Sequence, residues 1–332
     1  MGKPLSFSVG IPTFNQGEYL EETIVSLLDQ TRPPDEIFIS DHFSTDNTPE
    51  IIAKYVELGK VRAGKPPVGS NVGGQWVYTL SCLSGDWVTL FSSDDLALPK
   101  FCEVLMRGAE RRDDAVLVRA AWENIDPVGK VISTEYLLRS KAIVTPPDTL
   151  LEQKNGPKAS FAAFAVKRAT LEESGGYPVG MESFGDWPMF MQVAPYGSII
   201  YESEIVSRYR IHPTDKFRQR LGMWLRDEER MFYEVMPLAA QRAKMSDLAW
   251  IAEASRSNFM RYLAAASEQL TLEERIERSP LFESWAEKAG CQNELKRFAA
   301  GERIAAKGRL GAAIKRILRP YAQKLNASLH RG

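Results

Sequence analysis

Trp87-Val88-Thr89-Leu90-Phe91-Ser92-Ser93-Asp94-Asp95 is the most telling run in the chain. Apolar, β-prone residues lead straight into two adjacent carboxylates. The run reads as a buried strand whose C-terminal end delivers acids to a sheet edge. In open α/β sheets that edge is where ligands bind. Two carboxylates held there suit a hard divalent cation, which takes oxygen ligands and shares them with substrate phosphates. A second reading makes Asp94 the N-cap of a helix from Leu96 to Met106, with Pro99 in its first turn. An Asp-Asp pair alone does not choose between the two.

The flanking sequence repeats the strand-then-turn pattern. Leu5–Ile11 reads as a strand ending in the loop Pro12-Thr13-Phe14-Asn15-Gln16-Gly17. Leu20, Ile24, Leu27 and Leu28 follow at helical spacing, and Pro33-Pro34 ends that helix. Glu36–Ser40 is a second strand reaching Asp41. Ser44-Thr45-Asp46 offers N-caps for a helix over about Pro49–Leu58. A short strand near Val61 runs to the glycine-rich turn Val68–Gly74, which holds Asn71, and a helix over about Gln75–Leu83 precedes Trp87. Strand–helix alternation predicts a parallel sheet flanked by helices. Asp41, Asn71 and Asp94-Asp95 would then converge on one edge.

Downstream, a helix to about Arg112, a strand Ala115–Ala121, a strand-like Phe161–Val166 and strands over Ser198–Ile211 extend this pattern. Asp186 follows Phe184-Gly185 and starts an apolar helix. From about Thr214 the sequence turns helical, with stretches over about Ser246–Glu268 and Leu272–Phe298. The expected division is a mixed α/β domain over 1–213 and a helical region over 214–332.

Composition narrows the function. The 332 residues carry net charge −1, 44% hydrophobic and 26% charged residues, which fits a globular protein with ample core. Three scattered cysteines, Cys82, Cys102 and Cys291, fit a reducing, cytoplasmic setting. Met1-Gly2-Lys3-Pro4 lacks the apolar core of a secretory leader, and no apolar run is long enough to span a bilayer. Neither a dinucleotide glycine fingerprint nor a P-loop is present. Residues 296–332 carry +9 and the remainder −10. Leu310, Ile314, Ile317, Leu318, Tyr321 and Leu325 form a helical stripe ringed by Lys and Arg. Such a basic amphipathic segment over 303–325 suits an anionic membrane surface, or it packs on the chain with its basic face solvated. The acidic remainder argues against a nucleic-acid partner.

In order and spacing, Val9–Asn15, Ile39-Ser40-Asp41 with Ser44-Thr45-Asp46, Asn71-Val72-Gly73, Ser84–Trp87, Ser92–Asp95, Ser174–Tyr177, Gly185-Asp186 and Tyr209–His212 resemble the family 2 inverting nucleotide-sugar glycosyltransferases, of GT-A fold. The resemblance covers about the first 213 residues, is specific for the superfamily, and does not name the sugar or the acceptor. It implies that Pro12, Thr13 and Phe14 line the nucleotide base pocket, that Asp41 binds base or ribose, and that Asn71 and Asp94 also contact the donor. It implies Mn²⁺ or Mg²⁺ held by Asp94 or Asp95, with His212 as a further ligand, and Asp186 as catalytic base. Glu182 is a backup base, Arg210 a candidate for phosphate, and Trp187 a sugar wall or a core residue. His42 and Ser92 stand where the family often has acids, which alters part of the donor contact.

The implied reaction is hexosyl transfer with inversion. It takes the sugar of a UDP- or dTDP-sugar to a hydroxyl of a glycan or lipid-linked acceptor in bacterial surface polysaccharide assembly, on the inner face of the membrane. Two other readings remain: a sugar nucleotidyltransferase, against which the Pro12–Gly17 loop lacks Lys or Arg, and a non-catalytic glycan-binding subunit.

Overall fold

A computed structural model describes residues 4–136, 142–156, 161–178, 180–181, 186–212 and 216–304. Glu182, Gly185 and most of the basic segment lie outside them. The chain divides into two compact units, one of residues 1–212 with 234–246, the other of residues 213–233 with 247–332.

The first unit opens with β1 (Phe7–Thr13), α1 (Leu20–Leu28), β2 (Glu36–Asp41), α2 (Thr48–Glu57), β3 (Arg62–Gly64), α3 (Val72–Ser81) and β4 (Trp87–Leu90). These strands lie in the order β3-β2-β1-β4, all parallel. β1 and β4 are almost wholly buried along their length, as strands covered on both faces must be. Next come β5 (Leu96–Ala97), α4 (Phe101–Ala109), β6 (Ala115–Ile125), β7 (Val131–Glu135) and β8 (Ile143–Val144). α5 (Asp148–Leu151), β9 (Phe164–Lys167), α6 (Arg168–Glu173), α7 (Asp186–Val193) and β10 (Ser198–Arg210) complete the sheet region.

β9 sits between β4 and β6 and is antiparallel to both. β6 therefore runs in the direction of β4, and β10 pairs parallel to β6. The C-terminal ends of β1, β2, β4, β6 and β10 share one edge. The core packs Val9, Ile11, Ile24, Leu27, Ile39, Phe91, Phe101 and Leu105 around this sheet. Full burial of each such side chain contributes about 1.5–3 kcal/mol.

Several local expectations are corrected. No helix starts at Asp94: Leu96-Ala97 pairs with Arg208 and Ser207 of β10, and the helix starts at Phe101. The helix expected from Gln75 begins at Val72, because the Asn71 side chain caps it by accepting from the Gly74 amide at 2.8 Å. Phe161–Ala163 is a 3-10 turn ahead of β9. Ser198–Arg210 is one continuous strand.

The second unit contains α8 (Lys216–Arg230), α10 (Ala249–Gln269), α11 (Leu272–Arg278), α12 (Glu283–Lys288) and α13 (Gln292–Ala299); α9 (Met236–Arg242) belongs to the first. A capping box between Thr271 and Glu274 starts α11. Pro280 and the left-handed Gly290 (φ 65°) break the helix expected over Leu272–Phe298 into pieces. Trp285 organises this core, with Phe232 and Phe259 centroids at 5.8 and 5.5 Å and its indole N–H on Ser255 Oγ at 2.9 Å. Among the described residues no helix is long and apolar enough to cross a membrane.

Candidate active site

The first group of candidate residues lies at the ends of β1 and β2. Thr13 and Asp41 are register partners, both buried, and Pro12 pairs with Ser40. Gln75, buried on α3, donates to the carbonyls of Thr13 (3.0 Å) and Ser40 (2.8 Å). It therefore ties both strand ends to the helix that Asn71 caps. Asp41 Oδ1 accepts the Ser44 amide at 3.0 Å, which shapes the turn, and Oδ2 lies 3.9 Å from Lys65 Nζ. Phe14 is exposed at 53%, with the His42 ring 6.0 Å away. A planar group can therefore approach an open aromatic face beside a carboxylate.

The two loops that follow these strands are pinned to each other. Asn15 Oδ1 accepts the Thr45 amide (2.8 Å) and Asp46 Oδ2 the Gly17 amide (3.0 Å). A Cβ on Gly17 would meet Asn47 Oδ1 at 1.8 Å, so a larger residue here requires the Asn47 side chain to move. Hydrogen bonds from Thr48, with the Gly17 amide adding to them, hold the Asp46 carboxyl below the usual carboxylate range.

The second group lies beyond β4 and β10. Asp94 Oδ2 and His212 Nε2 are 2.7 Å apart, and both side chains are partly open to solvent. Asp95 is fully buried and turned the other way. Its Oδ1 accepts the Arg210 amide at 2.8 Å, and Oδ2 has no hydrogen-bond partner. Burial, reinforced by the neighbouring Asp94 charge, raises its carboxyl well above the ordinary range.

Arg210, considered above for phosphate, is already engaged. Its guanidinium donates to the carbonyls of Asp94 (2.7 Å) and Pro127 (2.9 Å) and to Glu22 (3.1 Å), and it lies 4.6 Å from the Tyr19 ring centroid. Thr23 Oγ1 also lies within hydrogen-bond distance of the carbonyls of Ser93 (3.0 Å) and Asp95 (2.8 Å), which fastens the turn to α1.

One carboxylate oxygen and one imidazole nitrogen facing each other fit a divalent cation that completes its shell with phosphate and water, Mn²⁺ taking the nitrogen more readily than Mg²⁺. Among the described residues no three His, Cys, Asp or Glu are grouped to hold a metal on their own.

The third group surrounds Asp186, the first residue of α7. Its Oδ1 accepts its neighbour Trp187's amide at 2.8 Å. Burial raises its carboxyl to about 6, against the lowering effect of that amide and of Arg119. Trp187 is 1% exposed and its indole donates to the Gln153 carbonyl at 2.8 Å, so it is a core residue and not a sugar wall. Gln75, Thr23, Arg119 and Gln153 escaped the reading of the sequence. Only the helical spacing that puts Thr23 and Gln75 among buried positions hints at the first two.

A β3-β2-β1-β4 parallel half, with acids after β2 and β4 and a histidine after β10, gathers these candidates on one sheet edge. The Glycosyl transferase family 2 model matches residues 8–175, and the chain belongs to that family. It is similar to hyaluronan synthase of Pasteurella multocida, 24% identical over 219 residues, which are 65% of this chain and 21% of that protein. It is also similar to the poly(ribitol-phosphate) beta-N-acetylglucosaminyltransferase TarP of Staphylococcus aureus, 34% identical over 120 residues, 33% of this chain and 35% of that one. The matched stretches span less than half the length of these curated relatives. The crystal structure of S. aureus TarS 1–349 in complex with UDP superposes with TM-score 0.62 at 17% identity, covering 90% of this chain and 88% of that one. The GT-A fold, with further helices at its C-terminal side, follows from this likeness.

Because one guanidinium spans Asp94, Pro127 and Glu22, a lysine in its place reaches only one of them. Arg210→Lys is expected to lower unfolding stability by about 1–3 kcal/mol, the cost of buried acceptors left unpaired. Urea unfolding of the two proteins checks this, and coincident midpoints would contradict it.

Proposed function

We propose that this chain is an inverting, metal-dependent glycosyltransferase. It moves a hexosyl group from a UDP- or dTDP-sugar to a hydroxyl of a glycan or lipid-linked acceptor in bacterial surface polysaccharide assembly. The observation that carries this reading is the sheet edge itself. In a chain of this family, Asp41 lies at the end of β2, and the facing Asp94 and His212 lie beyond β4 and β10 on the same edge. The TarS crystal structures with UDP and with UDP-GlcNAc support the choice of donor class. TarP's name, a poly(ribitol-phosphate) transferase, supports a polymer as acceptor.

In this reading residues 1–213 are the transferase domain. Phe14 stacks on the base, and Pro12 and Thr13 form the floor below it. Asp41 takes base or ribose hydrogen bonds, and Asn71 presents the start of α3 to the donor. Asp94 and His212 would hold Mn²⁺ or Mg²⁺, while Asp95 fixes the turn from behind. A cation held there would supply positive charge to stabilise the leaving diphosphate. Asp186 takes the proton of the acceptor hydroxyl as the oxygen attacks the anomeric carbon from the side opposite the diphosphate, so the configuration inverts. A carboxyl raised to about 6 is a stronger base than an ordinary aspartate and is still ionised at neutral pH.

Three outcomes test the proposal. In a nucleotide-sugar panel with Mn²⁺ or Mg²⁺, one UDP- or dTDP-sugar should raise the melting temperature, since a ligand of the native state stabilises it; a flat panel argues against a nucleotide-sugar enzyme. Asp186 works only when deprotonated, so kcat should fall as pH drops through about 6. Asp186→Asn should lose at least about a hundredfold in transfer while keeping UDP binding, and retained transfer would remove its role.

The 303–325 segment would lie on the anionic inner face of the cell membrane and bring the enzyme to a lipid-linked acceptor. Removal of 305–332 should then abolish sedimentation with phosphatidylglycerol vesicles. Equal sedimentation with and without those residues would end that part of the reading.

A further inference from the structure

Phe43 is held in a backbone conformation that few side chains accept. Its φ is 59°, in the left-handed region that favours glycine and strains a bulky residue. Hydrogen bonds on either side keep it there. The His42 amide donates to the Thr13 carbonyl at 2.9 Å, and the Ser44 amide donates to Asp41 Oδ1 at 3.0 Å. Packing in the core does not account for the ring, because Phe43 is 38% exposed. Strain kept at an exposed aromatic residue implies a use for the ring itself.

The ring has a cation beside it. Lys65 Nζ lies 5.5 Å from the Phe43 ring centroid, a cation–π distance, and 3.9 Å from Asp41 Oδ2. Sheet register brings the lysine to this place. β3 pairs with β2 as far as Gly64 opposite Ser40, so Lys65 and Asp41 are the next residues on two neighbouring parallel strands. His42, whose ring centroid lies 6.0 Å from those of both Phe14 and Phe43, completes an aromatic rim from the open Phe14 face to the lysine.

Below this rim, polar atoms are left open. Asp41 is 3% exposed, and its Oδ2 has no hydrogen-bond partner. Lys65 is near enough to pair with it as an ion and too far to donate a hydrogen bond. The hydroxyl of Thr13, the register partner of Asp41, is also buried without a partner. Buried acceptors left open in this way call for a donor from outside the chain. The carboxylate oxygen at the floor and the ammonium at the rim set an acceptor beside a donor. The complementary ligand edge carries an N–H next to a carbonyl, as N3–H and its neighbouring C=O do in uracil and thymine.

We propose that Lys65 is a base-binding residue of the donor site, donating to a carbonyl oxygen of a uracil or thymine ring whose N3–H goes to Asp41 Oδ2, and that Phe43 positions it. The role rests on the reading of this sheet edge as a nucleotide-sugar site. A lysine side chain is long and freely rotating, and the Phe43 ring limits where its ammonium sits. The strained turn is what carries that ring to the end of β3.

The test measures binding to the full chain of UDP with Mn²⁺, by calorimetry, and of uridine, which has no phosphate, by saturation-transfer NMR. Lys65→Met should weaken both ligands by about tenfold, the loss of one charge-assisted hydrogen bond at a partly solvated site. Phe43→Gly relieves the backbone, so its urea midpoint should hold or rise while both affinities fall by a like factor. Phe43→Tyr keeps the ring face and should bind as the parent does. The double variant of Lys65→Met and Phe43→Gly should lose no more than Lys65→Met alone, because the two residues act as one unit. Undiminished uridine binding by Lys65→Met overturns the proposal. A loss confined to UDP shows the lysine pairing with phosphate and overturns it equally. Losses that add in the double variant, or a lowered urea midpoint in Phe43→Gly with uridine binding unchanged, remove the part given to Phe43. A parent that binds neither UDP nor uridine brings down the nucleotide-sugar reading together with this inference. A parent that binds both, beside a Lys65→Met chain that binds uridine equally well, leaves that reading standing and ends this inference alone.

Discussion

Arg210 is the constraint on which the turn beyond β4 and the end of β10 depend. Its main-chain amide holds Asp95 from behind, and its guanidinium holds the Asp94 carbonyl, the β6–β7 turn at Pro127 and Glu22 of α1. A turn carrying two adjacent carboxylates is electrostatically uncomfortable, since like charges so close resist ionising together. The fold relieves this by burying one and exposing the other. Asp95 takes a structural bond inside, and Asp94 is left facing His212. The last residues of β10 thereby shape a turn that lies more than a hundred residues earlier in the chain.

The same division of labour recurs across the edge. Asp41 shapes its own turn with one oxygen and keeps the other toward Lys65. Asp46 is consumed entirely by backbone and hydroxyl donors, and its charge is stabilised accordingly. Asp186 is the opposite case, with burial making its charge costly and Arg119 opposing that cost. Carboxylates of one chemical kind thus come to differ in basicity through their surroundings alone, which is what separate binding and proton-transfer roles require.

Much of the first unit was legible in the chain. Strand runs ending in Asp41 and Asp94-Asp95 marked the working edge, because side-chain pattern reports burial and parallel strands converge at one end. The start of α3 was misjudged: glycines at 73 and 74 read as a turn, yet the Asn71 cap makes them the first turn of a helix. The alternative of a helix capped by Asp94 fails for another reason. Leu96-Ala97 finds a strand partner in β10, a long-range pairing that local propensity cannot register. Arg119 and Gln153 were invisible, since an arginine within an apolar strand carries no local sign of what it will meet.

From residue order alone came the family, the parallel half of the sheet, and the short list of acids and histidine that could do chemistry, because periodicity and turn chemistry are local properties. Three-dimensional packing settled the rest. It turned Asp95 inward and Asp94 outward, spent Arg210 on carbonyls, and buried Trp187 and Arg119 in the core. Those outcomes depend on burial and on contacts between residues distant in sequence, and a side chain's charge state and direction are fixed by its neighbours in space.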